Sequence, residues 1–308
     1  MNTNHIELIK LNPDDEALRL QFNQLFAQTF GFDFELWYQE GYWPKEYQPY
    51  LMMQNQQVIA SVSVYEMTFS YHQASKKYAQ IGGVVTHPDF QQRGYGRRLM
   101  RWVLAQYQDS WQQIFLYCHD GVVDFYLKFG FIESHEYAYR GNTKNFDRNM
   151  VTISDDLSVD KLDIYNEEHF ALLEQGANQG NPLAAFYMEK SMPLLMFYAM
   201  YFYSDSLYYI AKYKLIFIVS WAEDKMIIHE ILGDNKDVDY PMLTVLVATI
   251  SRQCGKKTSE FQLGFTPIKK EEYEQTLLAV PNQHLMVLEP KENITMQEQV
   301  MFPVLSHT

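Results

Sequence analysis

Cysteine is scarce in this chain, which has only two such residues, Cys118 and Cys254, among 308. They lie far apart and lack the spacing of metal ligands, so we predict reduced thiols and neither a disulfide framework nor a metal site. The sequence also lacks an uninterrupted apolar run of about 18 residues, the length that spans a bilayer. Residues 1–7 have neither the basic nor the apolar region of a signal peptide. These absences predict a cytoplasmic protein without a membrane segment.

Basic residues are also fewer than acidic ones. The chain has 25 Lys and Arg against 38 Asp and Glu, which gives a formal net charge of −13 at pH 7. Because nucleic-acid affinity comes largely from the neutralisation of phosphates, this balance argues against a nucleic-acid partner. It is compatible with a cationic amine substrate, although a net negative charge also favours solubility.

The length of the chain allows two domains of ordinary size, each with its own core. Hydrophobic residues make up 47% of the sequence and charged residues 20%, so we do not expect disorder. Residues 140–161 are the best candidate linker, because polar and turn-forming residues there replace a clear hydrophobic period. We predict domains at residues 1–145 and 146–308, and association into a homo-oligomer stays open.

Hydrophobic periodicity predicts a similar order of elements in the two halves. The first half is predicted to contain a helix over residues 14–30, strands over 51–53, 58–71 and 78–86, a helix from 99 to 107, and a strand over 114–118. The second half is predicted to contain helices over 167–175 and 182–203, strands over 207–213, 215–222 and 225–232, and a helix over 240–254. This repetition predicts two related domains.

A glycine-containing turn, residues 91–96, lies between an apolar strand that ends at Thr86 and the helix that follows. Gly94 and Gly96 have no β-carbon, so successive backbone N–H groups can point at one ligand beside the positive end of the helix. Arg93 and Arg97 add positive charge. The pattern predicts a phosphate-binding cradle, and the alternative is a helix start shaped by packing alone.

A second segment follows the strand over residues 114–118 and has the pattern Phe125-Tyr126-x-x-Phe129-Gly130-Phe131. Taken in order, the strand, the glycine turn, the helix, the second strand and this ending resemble the acetyl-CoA-binding core of GCN5-related N-acetyltransferases. The resemblance covers residues 58–131. It implies an α/β (α+β) chain with the acyl-CoA N-acyltransferase fold, in which helices flank a mixed central sheet.

Residues 37–50 extend this likeness, because they resemble tandem-domain bacterial acetyltransferases related to the enhanced-intracellular-survival aminoglycoside acetyltransferases. In the second half, residues 233–239 stand at the strand-to-helix junction equivalent to the cradle. They contain three aspartates and no pair of spaced glycines, so they would repel a pyrophosphate. We predict a degenerate acetyltransferase-like domain that has no cofactor site and that supports or walls the substrate cleft.

The resemblance implies acetyl-CoA as the co-substrate, with its pantetheine between two strands that splay apart. Gly82 and Gly83 are suited to a bulge that relaxes the ladder there. The predicted cofactor-binding residues are Val84, Val85, Thr86, Gln91, Gln92, Arg93, Gly94, Tyr95, Gly96, Arg97, His119, Gly121 and Val122. His119 stands where many relatives have asparagine, so it could keep one hydrogen bond to the pantetheine, serve as a base, or be structural.

Tyr126 matches the tyrosine that acts as general acid in the family. A phenol is protonated at neutral pH and can donate to a developing thiolate, and the alternative for this residue is packing of a helix against a strand. The predicted base is Glu66 on a strand that faces the cleft, Glu230 in the second half, or the carboxylate of Thr308. The last option follows from the relatives, in which a terminal carboxylate enters the active site, and a chain of waters is a further one.

A set of aromatic residues precedes the predicted sheet. These residues either form a wall of the acceptor site, where aromatic faces can hold a cation, or pack in the core. The set consists of Trp37, Tyr38, Tyr42, Trp43, Tyr47 and Tyr50. The sequence thus predicts an N-acetyltransferase that transfers an acetyl group directly from acetyl-CoA to a primary amine of a small molecule or peptide in a ternary complex. The alternative is a non-catalytic acyl-CoA-binding or interaction protein, and no residue identifies the acceptor.

Overall fold

The computed structural model describes residues 5–107, 111–143, 157–288 and 293–307, which form two mixed β-sheets with helices on their faces. The α/β class with mixed sheets that the sequence predicts is therefore confirmed. Within the described ranges, no helix combines the length and the apolar character needed to cross a membrane.

The strands follow one another along the whole described chain. They are β1 Ile6–Lys10, β2 Tyr47–Gln54, β3 Gln57–Tyr71, β4 Ala74–Thr86, β5 Gln113–Cys118, β6 Phe131–Ser134, β7 Tyr137–Asn142, β8 Asp160–Lys161, β9 Ala184–Met188, β10 Leu207–Ile210, β11 Leu215–Ala222, β12 Lys225–Leu232, β13 Glu260–Leu263, β14 Thr266–Pro267, β15 Glu274–Leu277 and β16 His284–Leu288. The α-helices are α1 Glu16–Phe30, α2 Glu35–Gln39, α3 Tyr95–Tyr107, α4 Val123–Leu127, α5 Glu167–Gln179, α6 Met192–Tyr201, α7 Tyr240–Gln253 and α8 Ile294–Gln297.

The first sheet has nine strands in the order β1-β2-β3-β4-β5-β16-β6, with β9 paired to β3 and β14 paired to β9. The second has seven, in the order β15-β7-β13-β12-β11-β10-β8. Each sheet contains one parallel pair, β4 with β5 and β12 with β13. The two sheets therefore repeat one plan, as the similar order of predicted elements indicates.

The two sheets also exchange strands. β7 follows β6 in the chain but pairs with β13 and β15 in the second sheet. β16 returns from the second half and lies between β5 and β6 in the first sheet. Sheet membership therefore does not follow the boundary between residues 145 and 146, and the two predicted domains stay a prediction. Because each half supplies a strand to the other's sheet, neither sheet is complete without both halves.

Helices α1 and α3 cover opposite faces of the first sheet. α3 buries Leu99, Met100, Val103, Leu104 and Tyr107, the residues whose helical spacing predicts it. α1 starts after Asp15, whose carboxylate accepts a hydrogen bond from Leu18 N at 3.1 Å and so caps the helix. It buries Phe22, Leu25 and Phe26 against the face that the second half also covers.

Residues 184–188 form strand β9, so the prediction of one helix over 182–203 is wrong in its first part. They pair with the end of β3, where Phe69 faces Met188 and Tyr71 faces Phe186. The sequence pattern alone predicts helical hydrogen bonds for these residues, but pairing with β3 satisfies their backbone groups instead. Tertiary contacts therefore override the local helical preference. The buried helix then runs over Met192–Tyr201.

β4 bulges at Gly83. Its register with β3 shifts by one residue between Ser61 and Ser63, which leaves one extra residue in β4. Gly83 has φ +52, a conformation that favours glycine. The pairing of β4 with β5 ends at Ile81, which faces Leu116. Beyond the bulge the two parallel strands are unpaired with each other, as the predicted splay requires.

Gly83→Ala should destabilise the fold more than Gly41→Ala. Both glycines have positive φ, +52 and +78, a conformation that costs other residues roughly 1–2 kcal/mol. A β-carbon on Gly83 would also lie 2.0 Å from Cζ of Phe26, whereas one on Gly41 would meet nothing within 4 Å. Overpacking of this kind costs about 1–3 kcal/mol. Urea unfolding measures the difference, and equal losses in the two variants would contradict the contact between Gly83 and Phe26.

Candidate active site

The predicted cradle leads directly into α3, and residues 91–94 are exposed. Gln92 and Gly94 have φ +61 and +79, and a β-carbon on Gly94 would meet nothing within 4 Å. Within the described chain, the backbone amides of residues 92–97 form no hydrogen bond outside their own helix. Free N–H groups at the start of a helix are what an anion such as a pyrophosphate requires.

Side chains beside the cradle fasten it to the end of β4. Gln91 donates from Nε2 to Thr86 O at 3.1 Å. The Arg93 guanidinium lies over the ring of Phe90, 5.4 Å from its centroid. Tyr95 and Gly96 are half-buried at the first turn of α3, and Arg97 is exposed. The structure therefore brings the predicted residues 91–97 together around one exposed turn.

The free edge of β4 lies next to this turn. Val84, Val85 and Thr86 follow the last residue that pairs with β5, and Val85 is buried while the other two are half-buried. At the carboxyl end of β5, His119 Nδ1 accepts a hydrogen bond from Gly121 N at 3.2 Å. His119 thus caps the short 3-10 turn that ends with Val122. All these residues lie at the same end of the parallel pair.

Tyr126 lies on α4, which follows this turn, and is only 6% exposed. Its ring packs edge-on against Phe131, with centroids 6.0 Å apart. Burial raises the pKa of Tyr126, and the charge of the nearby Cys118 thiolate would raise it further. In the described structure its hydroxyl makes no hydrogen bond. The phenol is therefore protonated and available, as a general acid requires.

A large cavity opens on the other side of the β4–β5 separation. It has a volume of about 620 Å³ and lies between the bulge of β4, helix α1 and helix α6. Its described lining residues are Phe26, Phe30, Phe32, Phe34, Trp37, Tyr47, Gly82, Gly83, Tyr117, Leu194, Phe197, Tyr198, Phe202, Tyr203, Gln283 and His307. We name it the aromatic cavity. Since the bulge glycines line it, this cavity meets the open edge of β4, and it is large enough for a small-molecule acceptor.

A buried acid stands behind the wall of the aromatic cavity. Tyr117, on β5, donates from its hydroxyl to both carboxylate oxygens of Glu136 at 3.1 Å. Phe302 N donates to the same carboxylate at 2.7 Å. Burial raises the pKa of Glu136 to about 7, although these hydrogen bonds oppose the shift. Tyr117 lines the cavity and so connects it to a carboxyl group whose pKa suits a general base near neutral pH.

The C-terminal tail completes this wall. The ring of Phe302 stacks on Phe115, with centroids 4.0 Å apart. His307 packs against Tyr117 at 4.2 Å between centroids, and Tyr198 donates from its hydroxyl to His307 O at 2.6 Å. Burial lowers the pKa of His307 to about 4, so its imidazole is neutral at pH 7. Its Nε2 is buried and has no partner within the described chain.

The structure brings neither Glu66 nor Glu230, two of the predicted bases, to the aromatic cavity. Glu66 faces α3, on the opposite side of the sheet, where Tyr107 donates to its carboxylate at 3.4 Å. Glu230 is held by Asn181 and by Ile231 N beside a different, small cavity. Thr308 lies outside the described residues, and its role stays a prediction.

The predicted aromatic wall is divided between the cavity and the core. Trp37 and Tyr47 line the aromatic cavity, whereas Tyr38, Tyr42, Trp43 and Tyr50 do not. Tyr50, for example, is buried on the α3 face and shares a hydrogen bond of 2.8 Å with Tyr107. Core packing therefore holds for Tyr50, and a place in the acceptor wall stays a prediction for Trp37 and Tyr47.

In the second sheet, the opening between the parallel strands is filled. The register of β12 shifts at His229, and its pairing with β13 ends at Ile228. Residues 301–306 run into this place, and Val304 N donates to Gly264 O at 2.8 Å. Leu305 is buried there beside Leu232.

The helix start that follows this second opening is also capped. The carboxylate of Asp239 accepts a hydrogen bond from Met242 N at 2.9 Å. An anion of the protein itself therefore occupies the positive end of α7. Both features support the prediction that the second half holds no cofactor.

Sequence reasoning did not select Tyr117, Glu136 or the aromatic residues of α6 as site residues. Tyr117 reads as one more residue of a buried strand, and Glu136 lies between β6 and β7, where the chain crosses from one sheet to the other. Their contact depends on this crossing and on the tail, so no local spacing signals it. For α6, the apolar stretch over residues 192–203 does indicate a buried helix or an interface.

The comparisons with known proteins agree with this geometry. Residues 18–131 match the model of the acetyltransferase (GNAT) family. No curated protein matches the chain significantly in sequence.

Solved structures share the fold over most of the chain. A probable N-acyltransferase from Enterococcus faecalis V583 has a TM-score of 0.60 at 14% identity, with 92% of this chain and 73% of that chain covered. A GCN5-related N-acetyltransferase from Kribbella flavida has a TM-score of 0.55 at 15% identity, with 92% and 71% covered. Eis1 from Mycobacterium abscessus has a TM-score of 0.53 at 12% identity, with 91% and 73% covered.

The bulged parallel strands, the open helix start and these likenesses define a protein with the acyl-CoA N-acyltransferase fold. Residues 18–131 match the acetyltransferase (GNAT) family, and a second sheet with the same plan as the first accompanies them. The predicted family, fold and enzyme class are confirmed.

Proposed function

We propose that this protein transfers an acetyl group from acetyl-CoA directly to the primary amine of a small molecule, in a ternary complex. The main support for this proposal is the free edge of β4, which has the open helix start of α3 on one side and the aromatic cavity on the other. Two substrates that enter from these sides would meet at the bulge, which is the proximity that direct transfer needs.

The cradle and the free edge would hold acetyl-CoA. The unpaired amides of residues 92–97 and Arg97 suit its pyrophosphate. From Val84 to Thr86 strand β4 no longer pairs with β5, so the edge that faces β5 offers the pantetheine a strand-like partner. When bound, acetyl-CoA supplies the activated acetyl group.

Glu136 and Tyr117 are the proposed route for the proton that the amine loses. The Tyr117 hydroxyl, in the cavity wall, gives its proton to Glu136 and accepts one from the amine. A base with a pKa near the working pH is the most effective one. Tyr126, on α4 after the carboxyl end of β5, is the proposed donor of a proton to the departing thiolate.

Gly94→Asp should abolish acetyl-CoA binding while the fold survives. The new carboxylate would stand among the amides that hold the pyrophosphate, and like charges brought together cost enough to weaken binding by about 100-fold or more. A β-carbon there has no neighbour within 4 Å, and aspartate tolerates positive φ better than most residues. Calorimetric titration with acetyl-CoA measures the effect.

Gly94→Asn is the matched control, since it has the same shape without the charge and should keep most of the affinity. The wild type should bind one acetyl-CoA per chain, because the second opening is filled. Unchanged binding in Gly94→Asp would contradict the cradle, and two sites per chain would contradict the assignment of a single cofactor site.

Tyr126→Phe should lower kcat by about one to three orders of magnitude and leave acetyl-CoA affinity unchanged, as expected for a proton donor that acts in the transition state. Release of free thiol from acetyl-CoA measures turnover. Tyr165→Phe, at a tyrosine that is 68% exposed and outside the aromatic cavity, is the control. Wild-type turnover in Tyr126→Phe would assign this residue to packing alone.

Glu136→Gln should lower kcat by about 100-fold and change its pH profile. In the wild type kcat should rise with pH through about 7, because burial raises the pKa of Glu136 to that value and the carboxyl must lose its proton to act. In the variant this rise of kcat near pH 7 should disappear. Tyr117→Phe cuts the same route without changing the carboxyl group and should also lower kcat. An acid limb near pH 7 in Glu136→Gln would refute the assignment.

A further inference from the structure

The chemistry of the aromatic cavity points to a narrower class of acceptor. Phenylalanine, tyrosine and tryptophan side chains make up most of its wall, and its described lining residues include no Asp, Glu, Lys or Arg. This is notable in a chain with a net charge of −13. The acidic balance that is compatible with a cationic substrate is therefore not concentrated where the acceptor would bind.

The tyrosine hydroxyls of the wall already have partners within the protein. Tyr47 donates to Ser63 at 3.2 Å, and Tyr198 donates to His307 O at 2.6 Å. The Tyr117 hydroxyl donates to Glu136, and the Tyr203 hydroxyl lies 3.5 Å from Nδ1 of His229. With these groups paired, the wall offers a ligand mainly ring faces and ring edges.

The rings are arranged to take another ring. Phe34 and Phe197 stack with centroids 5.7 Å apart, and Trp37 meets Phe197 edge-on at 5.5 Å. Phe30 and Phe202 lie at the opening and are 46% and 52% exposed. Aromatic guests gain from stacked and edge-on contacts of this kind. An ammonium group buried here would have no carboxylate to pair with, apart from the route through Tyr117 to Glu136.

We propose that the acceptor is a monoamine with an aromatic, apolar body, an arylalkylamine, and that this enzyme discriminates against polyamines and aminoglycosides. The inference rests on the proposed function. A single amine can reach the bulge and lose its proton through Tyr117, while the aromatic body fills the cavity. Each further ammonium of a polycation would have to be desolvated against aromatic rings without a counter-charge.

The test compares tryptamine and phenethylamine with spermidine and kanamycin as acceptors, with thiol release from acetyl-CoA as the readout. We expect kcat/KM for tryptamine to exceed that for spermidine by about tenfold or more, the discrimination that one unpaired buried charge produces. Spermidine or kanamycin equal to or better than the aryl amines would overturn the proposal and leave acetyl transfer itself intact.

A pair of variants ties the preference to the cavity. Phe202→Glu places a carboxylate at its opening and should lower the tryptamine-to-spermidine ratio of kcat/KM severalfold. Tyr165→Glu makes the same kind of change at a residue that is 68% exposed and that does not line the cavity, so the ratio should stay as in the wild type. An equal shift in both variants would overturn the assignment to this cavity.

Calorimetric binding of tryptamine separates this inference from the proposed function. If no amine is acetylated, the proposed function fails, and binding then decides the inference alone. Tryptamine binding that Phe202→Glu weakens and Tyr165→Glu does not would still support an aromatic amine site. Tighter binding of spermidine than of tryptamine to the wild type would overturn it.

Discussion

The end of pairing between β4 and β5 is the constraint on which the site depends. One extra residue at Gly83 turns β4 away from its parallel neighbour just after Ile81. The same displacement leaves a backbone edge free beside the start of α3 and opens the sheet toward the aromatic cavity. Phe26 packs where a β-carbon of residue 83 would lie, so helix α1 and the bulge determine each other's position.

The two sheets share one strand plan but differ in what occupies the opening between their parallel strands. Both contain a bulged strand whose parallel pairing stops early. In the first sheet the opening leads to a cavity and an uncapped helix start, whereas in the second the tail fills it and Asp239 caps the helix. The second half nevertheless lines the aromatic cavity, through α6, through Phe202 and Tyr203 after it, and through His307 of the tail. Exchange of β7 and β16 holds the two halves together.

The buried acid follows from the same exchange. Glu136 lies where the chain leaves β6 for the other sheet, and the tail donates to it from Phe302 N at 2.7 Å. A carboxyl group taken from water in this way prefers its neutral form, which raises the pKa of Glu136 to about 7. Chain crossing thus determines the two described partners of the Glu136 carboxylate, the backbone N of Phe302 and the hydroxyl of Tyr117, and Tyr117 links the carboxylate to the cavity.

The sequence alone determined the local elements and the local chemistry. The helical spacing from Leu99 to Tyr107 predicts α3, the two glycines of residues 91–96 predict an open turn, and Gly82 and Gly83 predict a bulge, because each depends on neighbours within a few residues. Only the tertiary structure decided the rest. It placed Glu66 on the far face, made residues 184–188 a strand between β3 and β14, and joined Glu136 to Tyr117 and to Phe302, 166 residues further along the chain. Contacts between distant segments depend on strand order and chain crossing, which hydrophobic period does not encode.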